Sequence, residues 1–205
     1  MDSNKSFKDL SIEEFAARLG SGSPTPGGGA AAALESALGA ALIMMVANHT
    51  IGKSAYSDYE ELNIDIRDKA EQLLHELLES ADRDAECYGR VSQAFAQEYD
   101  DKADRQIAIA KASFYAALAP LAVMEASLSC IRLADSLIGR SNKNLVSDVY
   151  TAAISLHAGL KASRLLVEAN LDAISRTAPN TSNDLRERAT AILTEAEEIC
   201  TNILP

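Results

Sequence analysis

"SPTPGGGAAAALESALGAAL" occupies Ser23 to Leu42. Two prolines and three consecutive glycines lead directly into an alanine-rich stretch that nothing interrupts. Alanine is the best helix former and lets neighbouring helices approach closely. Glycine loses more backbone freedom on folding than any other residue, and Ser, Asp or Asn would cap a helix start more effectively. The pattern therefore predicts a helix from Gly28 to Lys53, about 39 Å long at 1.5 Å per residue. Ala33, Ala37, Gly39, Ala40 and Ala41 suit close packing of one backbone on another. A homodimer that buries this helix is expected; the alternative is the central helix of a monomer.

Helical signals continue on both sides and no strand signal appears. Ser11 with Glu14 reads as a capping box for a short helix ending at Gly20. Ser57 with Glu60 reads as a second, opening a long helix to about Gln97, with Ile66, Ala70, Leu73, Leu74, Leu77 and Leu78 on its buried stripe. A fourth helix is expected from Ala103 to Ile138, bent by Pro120. "GRSNKN" (139–144) is a turn. A fifth helix runs from Ser147 to about Arg176, "TAPNTSN" (177–183) breaks it, and a last one fills Asp184 to Ile203. The expected fold is all-α: a bundle of about six helices forming a single domain over residues 1–205.

Composition narrows the class of function. The 205 residues are 47% hydrophobic and 24% charged, with no tryptophan, as befits an aliphatic globular core. A net charge of −11 argues against nucleic-acid binding and favours a cationic ligand. Cys87, Cys130 and Cys200 are widely spaced, and His49, His75 and His157 fall in separate helices, so no metal site is expected. "MDSNKSFKDL" carries no apolar signal region, so a cytoplasmic location is expected. Residues 30–47 are marginal in length for spanning a membrane and contain Glu35. They read as a buried bundle helix, and no membrane association is expected.

The glycine turn permits two readings. Gly27, Gly28 and Gly29 leave the unpaired N–H groups of a helix start open to a flat or anionic ligand, or they merely allow close helix contact at a sharp bend. No strand precedes them and no GK[ST] ending follows, so neither nucleotide motif fits. Lys53 and Tyr56 lie at a helix end, where capping alone also accounts for a lysine. Asp148 begins a helix, where the dipole stabilises a carboxylate. Asp82 and Asp84 read most simply as solvated charges.

Together these segments resemble the cyclodeaminase domain of the formiminotransferase-cyclodeaminase family, which includes stand-alone methenyltetrahydrofolate cyclohydrolases. The resemblance covers nearly the whole chain. "PTPGGGAAAALESALGAAL" is similar to the family's Pro-x-Pro-Gly-Gly-Gly stretch and its small-residue helix. "TIGKSAY" (50–56) is similar to Thr-x-Gly-Lys-x-x-Tyr, and "DRDAECY" (82–88) to Asp-Ala-x-x-Phe. "SNKNLVSDVYTAA" (141–153) resembles Gly-Asn-x-x-Ala-x-Ser-Asp-Ala-Gly-x-x-Ala.

The resemblance implies an all-helical homodimer with a folate site at the dimer interface, no cofactor and no metal. It implies hydrolysis of 5,10-methenyltetrahydrofolate to 10-formyltetrahydrofolate, deamination of 5-formiminotetrahydrofolate to the methenyl form, or both. Asp148 is then expected to face the cationic bridge as base or electrostatic stabiliser. Lys53 would donate a proton or meet a developing negative oxygen, and Asp84 would orient Lys53 or hold the pterin's donor-rich edge. Pro26, Gly27, Gly28, Gly29, Tyr56, Asn144, Ser147 and Asn170 would shape the pocket. This reading has Asp148 and Lys53 converging beside the glycine bend. Several positions depart from the family pattern: Val149 and Tyr150 stand where Ala-Gly is usual, Leu166 where asparagine is and Ser141 where glycine is, and Glu35 lies within the small-residue helix. A folate-binding homologue with little or no turnover is therefore the alternative expectation.

Overall fold

A computed structural model describes residues 5–205, all helix and connecting turns with no strand among them. The α-helices are α1 (Ile12–Leu19), α2 (Gly28–Asn48), α3 (Glu60–Ala96), α4 (Lys102–Leu137), α5 (Val146–Ser175) and α6 (Pro179–Ile203). Short 3-10 turns cover Phe7–Asp9, Ser54–Tyr59 and Lys143–Leu145. The expected all-α bundle with six helices is what the chain forms.

Helix α2 lies between α3 and α5 and rests on α4, while α6 covers α5 and α4. Its small residues explain that position. Ala30, Ala33, Ala37, Ala40, Ile43, Val46 and Ala47 are all essentially inaccessible, so the helix is packed on three sides. Where α2 crosses α5 there is no room for larger side chains. A Cβ on Gly39 would stand 2.6 Å from Leu156 Cγ, and one on Gly159 would stand 2.7 Å from the Ala32 carbonyl. These contacts run in opposite senses along the two helices, so α2 and α5 are antiparallel. Asp84 beside Gly29 and Glu60 beside Gly52 show the same for α2 and α3. The bundle thus has a glycine end, at the start of α2, and a lysine end, where α2 stops. About 30 Å of helix separates them.

Several boundaries differ from the sequence expectation, each for a local reason. The capping box of Ser11 and Glu14 forms, with its two hydrogen bonds at 2.8 and 3.1 Å. The second box does not. Ser57 sits inside a 3-10 turn, and the Glu60 carboxylate instead accepts the Gly52 N–H at 2.9 and 3.1 Å. Helix α2 ends at Asn48 rather than Lys53 because Gly52, at φ 76°, turns the chain back. Helix α6 begins at Pro179 rather than Asp184, with proline in the first turn, where its missing N–H costs nothing. Helix α4 continues through Pro120 from Lys102 to Leu137. Both α2 and α4 are long and apolar enough to cross a membrane by length and composition, yet each lines the bundle core.

Candidate functional site

The glycine turn enters α2 without a side-chain cap of its own: Gly27 is the N-cap residue and offers no acceptor. The acceptor comes from α3, where the Asp84 carboxylate takes the Ala30 N–H. It lies so close that a Cβ on Gly29 would stand 2.0 Å from Asp84 Oδ1. Gly29 is therefore required for a carboxylate to reach the helix start from outside. Burial pushes the Asp84 carboxyl above its ordinary range, outweighing the opposing pull of the Ala30 N–H. Gly29→Ala is expected to displace this carboxylate and cost about 1–2 kcal/mol, the worth of a helix cap. In urea denaturation the Gly29→Ala/Asp84→Ala pair should cost less than the sum of the two single changes.

Beside this contact lies a cavity of about 290 Å³. Its rim is Pro24, Thr25 and Gly27–Gly29, and Asp84 and Asn170 add a carboxylate and an amide to its lining. Cys87, Val91, Ala116, Pro120 and Leu166 form an apolar wall, with Tyr88 at the mouth. Asn170 donates its Nδ2 to the Leu166 carbonyl at 2.9 Å, which leaves its Oδ1 as an acceptor. Cys87 donates its thiol to the Tyr115 carbonyl at 3.7 Å, and burial raises its pKa. Pro26 is buried and does not line the cavity.

Asp82 is not a solvated charge either. It accepts the Phe7 N–H at 2.7 Å and the Ser6 hydroxyl, tying the N-terminal segment to α3. Phe7 meets Phe15 of α1 edge to face. From α1 the bonds Ser21 to Arg18, Ser23 to Ser21 and Ser23 to Thr25 lead to the cavity rim.

The other expected site residues stand at the lysine end, some 30 Å from the glycine bend within one chain. The expected convergence of Lys53 and Asp148 on Gly27–Gly29 does not occur there. The reason is geometric: α2 alone keeps them apart, and antiparallel α5 carries Asp148 to the same far end. Lys53 is exposed just after the Gly52 turn. The Tyr56 hydroxyl accepts the Lys143 N–H at 2.9 Å, and the Thr50 hydroxyl accepts the Asn142 N–H at 3.0 Å. These bonds fasten the lysine turn to the turn that opens α5. Asn144 and Ser147 are exposed there, and Asp148 is half-buried in the first turn of α5. A second cavity of about 400 Å³ lies at this end, lined by Tyr56, Ile138, Gly139, Asn142, Lys143, Val146 and Val149. Tyr150 packs against the core and lines neither cavity. The described residues hold no cluster of three or more His, Cys, Asp or Glu side chains arranged for a metal ion.

The structure thus defines an all-helical protein with one compact glycine-rimmed cavity and a separate basic turn at the far end of the same helices. Residues 11–191 match the model of the formiminotransferase-cyclodeaminase family, and the chain belongs to that family. A methenyltetrahydrofolate cyclohydrolase of Methylorubrum extorquens is 37% identical over 162 residues, 78% of each chain. A formimidoyltransferase-cyclodeaminase of Sus scrofa is 28% identical over 192 residues, 91% of this chain but 35% of that longer one. The crystal structure of formiminotetrahydrofolate cyclodeaminase from Thermotoga maritima superposes with a TM-score of 0.88 at 27% identity, covering 96% of this chain and 94% of that one.

Sequence reasoning missed Cys87, Val91, Ala116 and Pro120 as wall residues. A signal existed for part of the set. Asp84, Cys87, Tyr88 and Val91 are spaced three, one and three along α3, a single helical face that begins at the acid.

Proposed function

We infer that the protein is a folate one-carbon enzyme. It hydrolyses 5,10-methenyltetrahydrofolate to 10-formyltetrahydrofolate, deaminates 5-formiminotetrahydrofolate to the methenyl form, or does both. The observation that carries this reading is the glycine-rimmed cavity. It opens between an α2 start that glycine leaves bare and a carboxylate that presents acceptors, against an apolar wall. A pterin is flat, and its amino-pyrimidinone edge is rich in donors. Of the two roles expected for Asp84, holding that edge is the one its position supports.

The reacting bridge needs the other half of the machinery. Leu38 lies midway along α2 and is 57% exposed, in line with the partly exposed Ala31, Leu34, Ala41, Leu42 and Met45. Ile154 of adjacent α5 is 55% exposed. A two-fold axis through Leu38 pairs two α2 helices antiparallel and sets each glycine end against its partner's lysine end. The chain exposes 11064 Å², more than the roughly 9,300 Å² of a compact monomer of this mass, so it has surface to bury. In such a dimer each cavity receives the partner subunit's Lys53 and the partner subunit's Asp148.

The chemistry follows from these groups. In hydrolysis, water adds to the bridging carbon between N5 and N10 and loses a proton to the Asp148 carboxylate. The carbon becomes tetrahedral and the bond to N5 breaks as N5 takes a proton from Lys53. The hydroxyl on the carbon gives its own proton back to the lysine as it becomes the formyl carbonyl on N10, so the net proton released is the one on Asp148. Before addition the same carboxylate offsets the positive charge of the bridge. In deamination N10 is the nucleophile and ammonia the departing group, with the same proton traffic.

The test is optical. Purified protein should accelerate the loss of the near-ultraviolet absorbance of methenyltetrahydrofolate, or its appearance from the formimino substrate. No acceleration with either substrate, alongside measurable folate binding by calorimetry, would establish the binding homologue instead.

A further inference from the structure

Helix α4 carries a proline, Pro120, in its interior without being interrupted. Proline has no N–H, so the carbonyl four residues earlier, that of Ala116, loses the donor a helix would supply. Pro120 and Ala116 line the cavity together, so the step at which α4 gives up a backbone bond lies in its wall. The neighbouring Tyr115 carbonyl is already drawn sideways, accepting the Cys87 thiol at 3.7 Å.

We propose that Pro120 frees the Ala116 carbonyl to act as a ligand-binding acceptor, so that the cavity reads a ring edge with three N–H donors. The other acceptors are the Asp84 carboxylate and Asn170 Oδ1. A buried carbonyl left unpaired is costly, and a ligand N–H satisfies it. This inference rests on the folate reading and deepens it: the 2-amino-4-oxopyrimidine edge supplies three such hydrogens, one on the ring and two on the amino group. A ligand lacking the amino group would leave at least one acceptor unpaired, and the cavity would discriminate against it.

Pro120→Ala restores the N–H and closes the Ala116 carbonyl back into the helix. The expected result is a protein that melts at a higher temperature yet has a KM raised about 10-fold with kcat little changed. A proline that only shapes the helix would give the higher melting temperature with KM unmoved, and that result overturns the proposal. A 2-desamino analogue of the substrate supplies the second arm. The wild-type chain should bind it about 10-fold more weakly than the substrate, whereas Pro120→Ala should show a difference of about twofold. If Pro120→Ala does not fold, wild-type binding of the analogue decides: equal affinity for the two ligands overturns the assignment. If the wild-type chain neither turns over nor binds tetrahydrofolates, the folate reading fails and this inference falls with it. An active wild type whose KM survives Pro120→Ala removes this inference alone.

Discussion

At substrate well below KM, mixing Lys53→Ala chains with Asp84→Asn chains is expected to restore about a quarter of the wild-type rate, although each variant alone should lose about 100-fold or more in kcat/KM, the first through proton transfer and the second through binding. The arithmetic is that of a shared site. Random pairing makes half the dimers mixed, and in each mixed dimer one cleft receives both altered halves while the other receives two intact ones. Recovery requires that Asp84 and the lysine serving its cavity come from different chains. If both halves came from one chain, mixing would restore nothing. Asp84→Asn suits the experiment because the amide oxygen still accepts the Ala30 N–H, so the start of α2 stays capped while the charge facing the cavity is removed. The ratio is read by rapid mixing, dilution to allow exchange, and the absorbance assay. A control with Leu38→Arg in both chains should abolish the recovery, since a charge on the outward face of α2 opposes pairing.

The glycine run, the 50–56 segment and the 141–153 segment each lie at or beside a helix end, but motifs do not say which ends meet. Small residues in α2 gave its burial away, because alanine and glycine in such number suit only close backbone approach. The Ser11–Glu14 pair was legible because both partners of a capping box lie within four residues. Ser57 with Glu60 has the same spacing, yet Glu60 found a stronger partner in the Gly52 N–H, eight residues back across a turn. Local pattern cannot weigh that competition. Asp82 and Asp84 looked like solvent-facing charge because polar residues usually are. In fact they point to different sides of α3, one to the N-terminal segment and one to the start of α2. The separation of Lys53 from Gly27 was also implicit: a helix of 21 residues between them rules out contact within one chain.

Gly159→Ala is expected to be the most destabilising single methyl in the molecule. The added Cβ would stand 2.2 Å from Ser36 Oγ, 2.7 Å from the Ala32 carbonyl and 3.2 Å from the Ser36 N. A hydroxyl can rotate away, but two of these neighbours are backbone atoms of α2, and relieving them means pushing the helices apart. The crossing has little slack. Ser36 is fully buried and its hydroxyl accepts from Ser127 of α4 at 2.9 Å, while Ser127 is itself tied to this spot. Shifting α2 from α5 therefore disturbs α4 as well. Overpacking of this kind costs about 3 kcal/mol, equivalent to a fall in Tm of roughly 6–12 °C for a chain of this size. Gly159→Ala/Ser36→Gly removes the hydroxyl but leaves the Ala32 carbonyl in place, so it should recover only part of the loss. Full recovery would show that Ser36, rather than the α2 backbone, sets the distance between the two helices. Because α2 carries the glycine rim at one end and leads to Lys53 at the other, the same displacement should lower turnover at temperatures where the protein remains folded.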